Sequence, residues 1–134
     1  MASVFTKIID GELPGRFVHR DERCVAFLSI APLQPGHTLV VPIEEIDHWV
    51  DAPPELNAHL MTVAQRVAVA QQEVFSPVKV GMMIAGLEVP HLHIHVVPIR
   101  GVHDLDFANA DANPDPAALD DAAQRLRAAL GSGG

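Results

Sequence analysis

His91-Leu92-His93-Ile94-His95-Val96-Val97-Pro98 sets three imidazoles at every second position of an apolar run. Side chains alternate between the two faces of a β-strand. The spacing therefore predicts a strand with His91, His93 and His95 on one surface and Leu92, Ile94 and Val96 in the core. Near neutral pH imidazole serves as nucleophile, general acid or base, hydrogen-bond donor or metal ligand. Three polar rings packed in a row must each find a partner, which points to a chemical site rather than to packing.

Upstream of this run, Ala85-Gly86-Leu87-Glu88 reads as a tight connection and Val78 to Ile84 as the strand before it. Ser76-Pro77 stops a long helix that opens at Pro53-Pro54-Glu55 and repeats Leu56, Leu60, Val63, Val67 and Val74 on one face. Earlier still, His37 to Pro42 reads as a strand entered from the breaker Ala31-Pro32-Leu33-Gln34-Pro35-Gly36. Phe17 to Arg20 and Cys24 to Ile30 form a hairpin across Asp21-Glu22-Arg23, and Val4 to Ile9 is a short helix ended by Asp10-Gly11. Downstream, Gly101 to Asn113 is polar and irregular. Asp115-Pro116 then opens a last helix with Leu119, Ala123, Leu126 and Leu130 on one stripe, Gly131 as its cap and a frayed end to Gly134. Strands interrupted by one long helix predict an α+β fold whose antiparallel sheet is covered on one face.

A chain of 134 residues, 49% of them hydrophobic, has the length and composition of one globular domain. The expected unit is 1–134, with its core in 1–100 and a loop plus C-terminal helix in 101–134. No apolar run approaches the roughly 20 residues that span a bilayer. The start Met1-Ala2-Ser3-Val4-Phe5-Thr6-Lys7 lacks the basic-then-apolar pattern of a signal peptide, so a cytoplasmic protein is expected, with no membrane partner. Cys24 is the one cysteine and cannot supply an internal disulfide or a thiolate zinc cluster; in its apolar run it reads as a small core residue. The formal net charge of −8 argues against a nucleic-acid polymer as partner, although a small phosphorylated ligand needs only a few local donors. Asp104, Asp106, Asp111, Asp115, Asp120 and Asp121 read as a solvated loop and helix face.

The run His91-x-His93-x-His95-x-x resembles the signature of the histidine triad (HIT) family, and the segment from Phe27 to Pro42, with its Pro-Gly turn and His37, resembles that family's preceding block. The resemblance implies a HIT-like fold, a five-stranded antiparallel sheet with one long helix and a C-terminal helix, usually paired as a homodimer. It also implies a nucleotide hydrolase or nucleotidyl transferase, of the phosphoramidase or dinucleoside polyphosphate type seen in the Hint- and Fhit-like branch, needing no cofactor. By that match His93 attacks the α-phosphorus of a nucleotide conjugate, forming a covalent nucleotidyl-histidine that water hydrolyses. His95 sits near the leaving or non-bridging oxygens, while His91 and His37 support the rings. The match puts Val4, Phe5, Ile8, Phe27 and Ile30 around the base with Leu39 nearby, positions whose apolar character equally fits plain core.

Several positions depart from the family pattern. Ser29 stands where an aspartate usually grips the ribose hydroxyls, and a neutral hydroxyl is a poorer bidentate acceptor. Leu87 and Glu88 replace a glutamine and a small hydroxyl residue, Glu88 would repel a phosphate if it faced the site, and Val80 replaces an asparagine. Ser3 and Thr6 occupy the places of a Cys-x-x-Cys pair, so a structural zinc of that kind is not expected. Two other classes stay open on the residues alone. One is a nucleotide-binding module with little turnover. The other is a metal site on the histidine strand with His37 as a fourth ligand.

Overall fold

The computed structural model describes residues 2–133. In chain order they form α1 (Val4–Ile9), β1 (Phe17–Arg20), β2 (Cys24–Leu28), β3 (Thr38–Pro42), α2 (Pro54–Phe75), β4 (Lys79–Met83), β5 (Ile94–Ile99) and α3 (Pro116–Gly133). Short 3-10 turns lie at Trp49–Asp51, Val102–Leu105 and Phe107–Asn109. The strands make one antiparallel sheet in the order β1-β2-β3-β5-β4, so the fold is α+β with a five-stranded sheet. No described helix is long and apolar enough to cross a membrane.

Local chemistry explains the helix limits. Ser3 caps α1 by accepting from the Thr6 N–H at 3.0 Å, and Gly11 carries the chain out of it at φ 85°. Proline at the first position opens α2, and Ser76 closes it in the left-handed conformation at φ 47°, just ahead of Pro77. The α2 stripe Leu56, Leu60, Val63 and Val67 packs on Cys24, Ala26, Leu28, Val40, Leu92, Ile94 and Val96 from one sheet face. From α3, Ala122, Ala123 and Leu126 complete that layer. Gln71 reaches out of α2 with its Nε2–H groups on the carbonyls of Gly36 (2.8 Å) and Val96 (2.9 Å), tying the helix to the sheet and to the turn before β3.

The structure corrects four expectations. All five residues of β2 and of β3 are buried, because the second face is also covered there: Phe5 and Ile9 of α1 pack on Val25, Phe27, Leu39 and Val41. The limits of β2 and β4 shift by one or two residues, β2 ending at Leu28 and β4 at Met83. Gly131 does not cap α3, which runs to Gly133, since a glycine ends a helix only by taking positive φ and Gly131 does not; Gly134 lies outside the described residues. Finally, Asp104 is buried, not solvated. Its carboxylate accepts from the N–H groups of Arg100 (2.8 Å) and Gly101 (3.3 Å) and from Gln34 Nε2 (3.3 Å), stapling the 101–113 loop to the turn before β3.

Gly36 is the tightest point of this design. It holds φ 88°, accepts Gln71 through its carbonyl, and a methyl on it would collide with the Phe75 ring. Gly36→Ala is expected to cost about 2–4 kcal/mol by adding backbone strain to overpacking. Gly11→Ala, at φ 85° with nothing near the added carbon, should cost about 1 kcal/mol. Urea unfolding of both variants at neutral pH measures the difference.

Candidate active site

The alternation expected of the histidine run survives, but the strand is shorter than expected. β5 begins at Ile94, so His91 and His93 precede it and only His95 sits in the ladder, opposite Leu39 of β3 and Met83 of β4. The β3 ladder stops because Pro42 has no N–H to offer; its carbonyl accepts the Nε2–H of His91 at 2.8 Å instead. The Leu92 N–H bonds the Ile46 carbonyl at 2.7 Å, which keeps the chain extended past the last strand pair. Leu92, Ile94 and Val96 face α2, while the rings stack on the other side in a row: Phe5, His93, His95, Phe107, with successive centroids 4.9, 4.9 and 5.0 Å apart.

Hydrogen bonds decide which ring nitrogens carry protons. The backbone N–H of Leu33 donates to His37 Nδ1 at 3.0 Å, and a backbone N–H can only donate, so that nitrogen is bare. Neutral His37 must then carry its proton on Nε2, from which it donates to His95 Nδ1 at 2.9 Å. The same logic puts the His95 proton on Nε2, and this buried N–H has no partner among the described residues. Burial first, then the neighbouring histidines, pulls His37 down to about 3 and His95 down to about 4, so both are neutral at pH 7. His93 Nδ1–H donates to the His91 carbonyl at 2.7 Å, which leaves its Nε2 lone pair free. His91 Nδ1 accepts from Ser3 Oγ–H at 2.6 Å, so both of its nitrogens are engaged and burial lowers its pKa as well.

A cavity of about 650 Å³ opens over His93 and His95, with His37 in its wall. Val4, Phe5 and Ile8 line it from α1, Phe27 and Leu39 from the sheet. Ser29, Ile30 and Glu88 line its rim, Ile30 largely exposed. Of the residues expected to be catalytic or substrate-binding, His91 alone stays outside the cavity wall, fully buried behind Ser3; of the departures, Leu87 is exposed and Val80 packs on the α2 side, both outside that wall. Glu88 does face the site: a carboxylate oxygen lies within 4.8 Å of ring nitrogens of His93 and His95. Ser29 Oγ accepts from the Ala31 N–H at 3.2 Å and keeps its own proton to donate.

That donor set resembles a metal site, yet the proton relay does not fit one. The free nitrogen of His95 is locked as an N–H, and both nitrogens of His37 are occupied, so neither offers a lone pair to a cation. The Cys-x-x-Cys positions do not fit one either. Ser3 is spent on His91 and on capping α1, and the Thr6 hydroxyl donates to Glu45, which also accepts the Ser3 N–H.

Sequence reading missed five contributors. Leu33 acts through its backbone and leaves no side-chain signal. Glu45 and Ser3 brace the triad from elsewhere in the chain. Phe107 and Ala110 wall the cavity from the loop taken as merely polar, held in place by Asp104 and by the Asp111 N–H on the Pro32 carbonyl. An isolated phenylalanine in a polar loop was the one available cue.

Two buried neutral histidines make stability pH-dependent. An unfolded histidine takes up its proton near 6.5, whereas His95 resists to about 4 and His37 to about 3. The unfolded state then binds more protons, so stability is full above about pH 7 and falls as pH drops from 6.5 to 4, by up to about 1.4 kcal/mol per unit for each ring. Urea midpoints across that range should show the slope, and His37→Asn/His95→Asn should flatten it.

A model of the HIT domain matches residues 10–102. An uncharacterized HIT-like protein of Borreliella burgdorferi is 36% identical over 102 residues, 71% of this chain and 73% of that one. One from Mycobacterium tuberculosis is 34% identical over 113 residues, 81% and 78% of the two chains. The crystal structure of a Zn-bound histidine triad family protein from Mycobacterium smegmatis superimposes with a TM-score of 0.84 at 33% identity, covering 98% of this chain and 95% of the other. With its matched domain, its five-stranded sheet and its row of three histidines, the chain belongs to the HIT family, whose general kind of activity is that of nucleotide-binding hydrolases and transferases.

Proposed function

We propose that this protein hydrolyses or transfers the nucleotidyl group of a nucleotide conjugate through a covalent intermediate on His93. The observation that carries the reading is the end of the proton relay: an unpartnered N–H on His95 lies beside a histidine whose Nε2 lone pair is free. A buried donor without a partner costs about 1–3 kcal/mol, which a phosphate oxygen entering the cavity would recover. His93 Nε2 attacks phosphorus and the P–N bond forms. The leaving group departs with its bonding pair and is protonated from solvent. His95 donates a hydrogen bond to a non-bridging oxygen, aimed at charge that grows in the transition state. Water then attacks phosphorus, the P–N bond breaks and His93 is restored.

The apolar wall of Val4, Phe5, Ile8, Phe27, Ile30 and Leu39 suits a nucleobase, with Ser29 toward the ribose. Glu88 beside the histidines opposes a highly charged phosphate chain, which favours a leaving group of low negative charge and also supports the second reading, a binding module of low turnover. The burial of Ala122, Ala123 and Leu126 in the α2 layer supports a single domain over 1–134. A homodimer is supported by the exposed Val78, Met82 and Ile84 along the β4 edge and by Met61 and Val69 on α2. The lone buried thiol of Cys24 suits a reducing cytoplasm.

His93→Ala should lower turnover of an adenylyl or guanylyl phosphoramidate on the order of a thousandfold with unfolding unchanged by more than about 2 kcal/mol. Acid-free quenching of wild type with phosphorus-labelled substrate should trap label on protein as an acid-labile, base-stable phosphoramidate. Half the wild-type rate in the variant, or turnover with no trapped label even when hydrolysis is slowed, sinks the covalent route.

Ser29→Asp tests the ribose contact. A carboxylate accepting both hydroxyls is worth roughly 1.5–3 kcal/mol per charge-assisted bond against about 1 for a neutral one. Ribonucleotide binding should tighten about tenfold by calorimetry while deoxyribonucleotides change little. Equal tightening of both sugars would mean that Ser29 does not meet the ribose.

A further inference from the structure

A second group of chemistry-bearing side chains converges on the other side of the sheet, at the β1–β2 end. His19 lies in β1, Asp21 in the hairpin turn, Cys24 opens β2 and His59 lies on α2. Donor atoms of His19, Asp21 and Cys24 all fall within 4.8 Å of one another. One carboxylate oxygen, Asp21 Oδ2, accepts from His19 Nε2–H at 2.7 Å, from His59 Nε2–H at 2.8 Å and from Cys24 Sγ–H at 3.6 Å. The other, Oδ1, is fixed by the backbone N–H groups of Arg23 (2.7 Å) and Cys24 (2.9 Å). The turn thus clamps the carboxylate by one oxygen and presents the other to two imidazoles and a thiol.

We infer that His19, Asp21, Cys24 and His59 form a structural site for a zinc-like divalent cation, pinning the β1–β2 hairpin to α2. Two imidazoles, a carboxylate and a thiolate are the borderline-soft donors that a tetrahedral zinc takes. Bonds of about 2.0–2.3 Å in that geometry set neighbouring donors roughly 3.3–3.8 Å apart. The sulfur and Oδ2 are already 3.6 Å apart, and the two N···O pairs need open by less than about 1 Å as the cation takes the place of each Nε2 proton, each neutral ring then carrying its proton on Nδ1 instead. His59 Nε2 meets Oδ2 but lies outside the group of three donors that fall within 4.8 Å of one another, so its ring must swing inward to join them; being partly exposed, it has that freedom, whereas Cys24 is fully buried at the floor. Without a cation, burial and then Asp21 push the thiol up to about 12, so it is inert; binding forms the metal–sulfur bond and releases that proton to solvent. The site shares no residue with the cavity over His93.

The cysteine count makes the test unambiguous, because any thiolate-to-metal absorption of this chain must come from Cys24. Tag-free protein, stripped with chelator, is titrated with Co²⁺. One equivalent should give the intense visible bands of a tetrahedral ion with a near-ultraviolet thiolate charge-transfer band, bleached by Zn²⁺. His19→Ala and His59→Ala, which remove partly exposed rings and no core volume, should each weaken binding about tenfold or more. Zn²⁺ should raise the melting temperature of wild type and not of His19→Ala, while His93→Ala binds as wild type does. Absence of the thiolate band at saturating Co²⁺ would overturn the site, as would a band indifferent to His19→Ala and His59→Ala, or binding lost with His93→Ala.

Discussion

One backbone N–H, that of Leu33 on His37 Nδ1, sets the chemistry of the whole pocket. Because an amide can only donate, it fixes the tautomer of His37, and His37 in turn fixes that of His95. The last proton of the chain, on His95 Nε2, is left buried beside the cavity without a partner among the described residues. Burial keeps both rings neutral, so their protons stay where the hydrogen bonds put them. The turn that supplies Leu33 is itself held by Gly36 in left-handed backbone and by Gln71 from α2, which links the reactive side of the sheet to the packing on its far side.

The sheet divides labour between its faces. Toward α2 and α3 it is mostly apolar and close-packed, and the alternate residues Leu92, Ile94 and Val96 belong to that layer. On the other side, only the part near α1 is filled; beyond it the rings of Phe5, His93, His95 and Phe107 form a wall and the cavity opens. A close-packed, largely apolar layer behind the histidines, crossed by Gln71, holds their spacing, and edge-to-face contacts between rings hold their tilt.

Most of the fold was legible in the sequence because its signals are local. Pro54 at a helix start, Ser76-Pro77 at its end, the period of Leu56, Leu60, Val63 and Val67, and the Asp21 hairpin each act within a few residues. Where local reading failed, a distant partner had intervened. Asp104 looked like one more solvated acid until Gln34 and two backbone amides enclosed it, and the 101–113 loop looked featureless until the Pro32 and Gln34 turn drew Phe107 over His95.

The sequence by itself determined that three imidazoles share one face and that a long amphipathic helix packs on the sheet, while the placing of the α1 and β2 apolar residues near the imidazoles came from the family resemblance. Alternation and helical period are properties of the chain's own geometry. Only the tertiary structure decided which nitrogen of each ring carries a proton, that Glu88 turns toward the histidines, and that Ser3 and Glu45 brace His91 from 88 and 46 residues away. Hydrogen-bond direction depends on which donor or acceptor arrives from elsewhere in the fold, and no periodicity in a sequence encodes that.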